Sequence, residues 1–131
     1  MSFREYVTSG GLRVFGGKSA DGNDELVGRA GANDVMLHTS EPGSPFVNVG
    51  EKPSKKDVNE AGVFCAKYSQ DWRDSKKDVV VNIFLRKDMN KSPKMKAGLW
   101  SVKKQKKILV KKEDVFKFEK VLRSEGIALG E

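Results

Sequence analysis

Two neighbouring stretches, SKKDVNEAGVFCAKYSQDW (residues 54–72) and DVVVNIFLRK (residues 78–87), decide the fold class. In the first, Ser54 follows Pro53 and stands three residues before Asp57, the spacing of a capping box with Asp in place of the usual Glu. Val58, Ala61, Cys65, Tyr68 and Trp72 then recur at intervals of 3, 4, 3 and 4, which puts all five on one helical face, widened by Phe64. The second stretch alternates instead. Val79, Val81, Ile83 and Leu85 fall on one side of a strand, with Phe84 on the other. A core helix beside an alternating strand predicts helices packed on a half-covered sheet.

Working outward, residues 3–8 and 12–17 read as strands joined at Ser9-Gly10-Gly11. The turn residues 21–24 lead into a short helix over 23–30 that Gly31 ends. Residues 35–39 and 46–49 read as strands on either side of Pro42-Gly43-Ser44-Pro45. Residues 99–103 and 107–111 read as a final hairpin, and residues 113–124 as a helix with acids in its first turn. The expectation is an α+β fold, a largely antiparallel sheet with about three helices, in one domain spanning all 131 residues.

Composition narrows the function. The chain holds one cysteine, Cys65, and one histidine, His38, so neither an internal disulfide nor a Cys/His zinc site is expected. No apolar run approaches the ~20 residues needed to span a bilayer, and MSFREYVTSGG has no signal-peptide apolar core, which predicts a cytoplasmic chain off the membrane. The formal net charge is +7, but it is unevenly spread. Residues 86–112 contain eleven lysines and arginines against the single acid Asp88, a net of +10, so the other 104 residues carry −3. A concentrated basic segment on a mildly acidic body reads as a footprint for phosphates.

Gly16-Gly17-Lys18 does not extend to a P-loop or a dinucleotide fingerprint, so its glycines are assigned to a tight strand-to-helix turn. His38, Ser40 and Ser44 lack a nucleophile-elbow motif, and Cys65 lies on the buried helix stripe. No catalytic residue, metal or cofactor is assigned. Trp72 is expected in the core. Trp100, at the entrance of the basic hairpin, is a candidate for stacking on an unpaired base, as is Phe84.

Several blocks also resemble a known family in order along the chain. Residues 10–18, Ala20 and residues 23–26 resemble the opening of the NFACT-R domain, also called DUF814. Asp34 to His38 and residues 42–45 are similar to its Asp-x-Trp-x-His and Pro-Gly-Ser-His segments, with Met36 and Pro45 in place of the tryptophan and the second histidine. Residues 59–62 with 65–69 resemble its central helix, and residues 86–98 its basic loop. The resemblance covers about residues 3–112 and leaves residues 113–126 as the C-terminal helix. It implies an RNA-binding module with tRNA or ribosomal RNA as partner, of the kind found in large proteins of ribosome-associated quality control. The extra domains of those proteins do not fit in 131 residues.

The reading is therefore a non-enzymatic, cytoplasmic RNA-binding domain. Lys18, Arg86, Lys87, Lys91, Lys94, Lys96, Lys104, Lys106 and Lys107 are expected on phosphates. His38, Pro42, Gly43, Ser44 and Trp100 are expected on sugar or base, and Asn23, Asp24, Asn59 and Glu60 are expected to hold the fold. Two alternatives stand beside it: an enzyme or accessory subunit of RNA modification built around His38, and a module binding a ribosomal or acidic protein. DNA is disfavoured because no helix carries a basic recognition face.

Overall fold

Six strands form one sheet in the order β1 (Arg4–Val7), β2 (Arg13–Gly16), β4 (Val47–Gly50), β3 (Val35–Thr39), β5 (Val79–Leu85) and β8 (Lys106–Val110), in a computed structural model describing residues 2–126. Every neighbouring pair is antiparallel. The helices are α1 (Ala20–Arg29), α2 (Lys55–Lys67), α3 (Gln70–Ser75) and α4 (Lys112–Ser124), and a two-stranded ribbon pairs β6 (Met89–Asn90) with β7 (Ser101–Val102).

Strand alternation sends side chains to two cores. Leu37, Val47, Val49, Val79 and Val81 meet Ala61, Phe64, Trp72 and Val115 of α2, α3 and α4 on one face. Met36, Phe46 and Phe84 meet Leu26 and Val27 of α1 and Met89 of the ribbon on the other, with Trp100 and Val102 packed against them. Met36, standing where the family pattern has tryptophan, is fully buried here. No helix among the described residues is long and apolar enough to cross a membrane.

Local signals set most element ends. Ser54 and Asp57 form the expected capping box on α2. Ser19 caps α1, which starts three residues before the predicted Asn23. A side chain at Gly17 would run into Asn23, and one at Gly16 would crowd the Phe64 ring, which accounts for the two glycines before Lys18.

Two expectations are corrected. The helical stripe running to Trp72 belongs to two helices, because Ser69 bonds back to the Ala66 carbonyl (2.7 Å) and caps α3 at the Trp72 amide (3.2 Å). Among the described residues that makes four helices, on an antiparallel sheet of the expected α+β kind. Residues 99–103 and 107–111 do not form a hairpin: β8 pairs with β5 and β7 with β6.

Candidate nucleic-acid interface

His38, one residue before the end of β3, lies directly opposite Asn82 on β5, which stands opposite Lys107 on β8. The three form a polar row on the sheet face that carries α1 and the ribbon. His38 Nδ1 lies 2.7 Å from the Thr39 carbonyl. A carbonyl only accepts, so Nδ1 carries the proton and Nε2 keeps a free lone pair. Burial pulls the His38 pKa below its ordinary value, and the bond to Thr39 offsets only part of this. The imidazole is therefore a neutral acceptor, 4.5 Å from the Phe46 ring.

The loop after β3 is pinned from three sides. Asn23 of α1 donates to the Ser44 carbonyl (3.2 Å) and accepts from the Phe46 amide (2.9 Å). Gln70 at the start of α3 donates its amide to the Gly43 carbonyl (2.7 Å). Gly43 itself has φ +84°, and a side chain there would strike Gln70. The Ser44 hydroxyl points inward: it accepts from the Thr39 amide (3.1 Å), donates to the Pro45 carbonyl (2.8 Å) and approaches Cys65 Sγ (3.5 Å). Pro42 and Gly43 are exposed, whereas Ser44 and Pro45 are buried. The Ser44 hydroxyl, expected on sugar or base, is bonded within the interior in this structure. Burial pushes the Cys65 thiol up to about 12, in keeping with an inert core cysteine.

The segment after β5 folds back as an arm, latched by one carboxylate. Asp24 Oδ1 of α1 accepts from the Gly98 amide (3.0 Å) and Trp100 Nε1 (2.9 Å), and pairs with Lys91 Nζ at 3.4 Å. Lys91 also donates to the carbonyls of Lys96 (2.8 Å) and Leu99 (2.9 Å). Arg86 donates to the Val27 carbonyl (2.8 Å) and lies over the Trp100 ring at 5.0 Å. Arg86 and Lys91 were expected on phosphates, and the structure spends both in holding the arm. Trp100 is half-buried with its N–H committed. Asn23 and Asp24 each bond from α1 to another segment, Asn23 to the loop at residues 44–46 and Asp24 to the arm.

Glu60 likewise holds the β1–β2 turn, accepting from Ser9 and Tyr6, while Asn59 is exposed on α2.

Other basic residues remain available. Lys18, Lys87, Lys94, Lys96, Lys103, Lys104 and Lys106 are exposed. Lys107 bridges Ser40 Oγ (3.1 Å) and Asn82 Oδ1 (3.2 Å) at the sheet surface.

Two concavities meet along His38, Ser40 and residues 98–99. A pocket of about 200 Å³ lies between β5 and the arm, with Phe46, Phe84, Trp100, Asn82 and Gln105 among its lining. A groove of about 1040 Å³ runs past residues 42–45 between α1, α3 and α4. Arg4, Lys18, Arg73, Lys76 and Arg123 line this groove. Sequence reasoning missed all of these but Lys18, because they come from separate elements and form no run along the chain. It also missed Asn82, whose only signal was its place opposite His38 in the strand register, and it weighed Ser40 only as a nucleophile.

The family model for the NFACT protein RNA binding domain matches residues 2–104. No curated protein matches the chain. Ten chains of solved structures do, among them the C-terminal part of the fibronectin/fibrinogen-binding protein from Streptococcus suis, at 24% identity and a TM-score of 0.79. That match covers 90% of this chain and 49% of the other, so the present chain spans about half its length, and the likeness is one of fold.

Proposed function

This chain belongs to the NFACT protein RNA-binding domain family, and from that premise we propose that it binds tRNA or a ribosome-associated structured RNA in the cytoplasm, without catalysing a reaction on it. One observation carries the reading: exposed lysines with no described side-chain bond stand on the arm and on the Lys103–Lys106 turn, the same segments whose Trp100, Val102 and Gln105 line the pocket at His38. Cations free to leave water for phosphate are what backbone binding requires, and the rigid loop at residues 42–45 offers fixed contacts for sugar or base. The non-catalytic reading is supported by His38, a neutral acceptor whose described partners are the Thr39 carbonyl and the Phe46 ring. The nearby Ser44 hydroxyl is turned into the core.

The test is crosslinking in cells followed by sequencing of the RNA that stays with the protein through a moderate-salt wash. Enrichment of one tRNA set or one ribosomal RNA segment is the expected result. A partner that survives complete RNase digestion would replace this reading with a protein-binding one.

A further inference from the structure

We propose that the pocket between β5 and the arm receives one unpaired nucleobase of the bound strand, its ring lying among Phe46, Phe84 and Trp100 and its edge meeting Asn82 and His38. The proposal rests on the RNA-binding reading above and adds to it a site of selection.

Size comes first. At about 200 Å³ the pocket is smaller than the roughly 300 Å³ at which drug-sized ligand sites begin, so it suits a single heterocycle and leaves sugar and phosphate outside. Its walls suit the same guest. Phe46 and Phe84 meet edge to face at 6.3 Å, with Trp100 and Val102 on the arm side. Flat apolar walls accept the faces of a base, and each base so held contributes favourably whatever its identity.

The polar groups narrow the class further. Asn82 Oδ1 is filled by the Ser40 hydroxyl (2.7 Å) and the Lys107 ammonium (3.2 Å). An ammonium only donates, so this atom is the amide oxygen, and the Asn82 Nδ2 group remains as a donor. Across the strand pair, His38 Nε2 remains as an acceptor. A donor and an acceptor side by side complement a base edge, which alternates the two. A phosphate in the pocket would face the lone pair of His38, and an aliphatic group would leave both polar atoms unmatched.

The test compares a short oligouridylate with the same strand made abasic throughout, and with uridine monophosphate, on the unmutated protein and on Asn82→Ala. The expected result is that the intact strand binds about tenfold tighter than the abasic strand. Asn82→Ala should remove most of that preference, read as the ratio of intact to abasic affinity within the variant so that any change made by freeing Lys107 cancels. A second readout does not depend on a variant: Trp100 emission is quenched by the intact strand and not by the abasic one, whereas the other tryptophan, Trp72, is buried on the opposite face. Equal affinity for both strands overturns the pocket and leaves RNA binding standing. Failure of both strands to bind at low salt overturns RNA binding and the pocket with it. A base preference that persists in Asn82→Ala with no quenching puts the base elsewhere. Saturation by the monophosphate at lower concentration than by the strand assigns the pocket to a free nucleotide.

Discussion

Replacing Lys103, Lys104 and Lys106 together with glutamine separates the two kinds of cation in the basic segment. All three are exposed, and no described side-chain bond holds them. With Arg86 and Lys91 spent on the arm, Lys107 on Ser40 and Asn82, and Lys111 near Asp78 (3.9 Å), six exposed cations remain between residues 86 and 110: Lys87, Lys94, Lys96, Lys103, Lys104 and Lys106. If each neutralises one phosphate of a single strand, the log–log slope of affinity against salt is about −4, at roughly −0.7 per contact. Removing three contacts should bring it to about −2 and lower affinity at about 0.1 M salt roughly a hundredfold relative to 1 M. Fluorescence anisotropy of a labelled single-stranded RNA between about 50 and 200 mM salt reads both quantities. The companion variants Arg86→Gln and Lys91→Met should lower the thermal midpoint and leave the slope nearly unchanged. If they flatten the slope as much as the triple variant while the fold stays intact, the division drawn from the hydrogen bonds is refuted.

Asp24→Ala removes the carboxylate that Gly98, Trp100 and Lys91 share, and losing such a charged partner costs about 1–3 kcal/mol. Native-state hydrogen exchange should show the loss as faster exchange across residues 89–102, and unchanged protection there would mean that the arm is held by its apolar contacts alone. His38, the only histidine in the chain, should titrate by NMR with a midpoint below its ordinary value of about 6.5. The unfolded chain then binds the proton first as pH falls, so this contribution to stability is complete above about pH 6.5 and declines below it toward the folded midpoint. A His38→Gln variant should lose that decline, and an identical pH profile in the variant would show that His38 does not cause it.

How much of this was legible in sequence depended on the range of the interaction. The α2 cap was readable because Ser54 and Asp57 lie three residues apart and bond only to each other's neighbourhood. The break before α3 was not, since the 3-4-3-4 stripe runs straight through it. What fixes the break is Ser69 turning back onto Ala66, together with Gln70 reaching Gly43, 27 residues earlier in the chain. The final hairpin failed for a similar reason. Residues 99–103 and 107–111 are adjacent and both strand-like, but Gly98 and Trp100 are drawn 74 and 76 residues away to Asp24. β7 is thereby left to pair with β6, while β8 completes the main sheet beside β5. At the site, charge counted along the chain found the lysine cluster. It could not tell exposed cations from those spent indoors, and it passed over Arg4, Arg73, Lys76 and Arg123, which only folding brings to one groove.

The same bookkeeping explains how a segment of net charge +10 can do two things at once. Cations packed this closely repel one another, and an arm built only of them would be pushed off the body. Asp24 counters that locally. It neutralises Lys91, and through Lys91, Trp100 and Gly98 it fixes the backbone that walls the pocket. The cations left outside the latch need no fixed geometry, since counterion release depends on their number and nearness rather than on their angles. A base pocket does need geometry, because donors and acceptors work only when held in place. The fold therefore puts a committed carboxylate, Asp24, where order matters and leaves the lysines exposed where number suffices. In a domain of this design, affinity and selectivity are carried by different residues and can be changed one without the other.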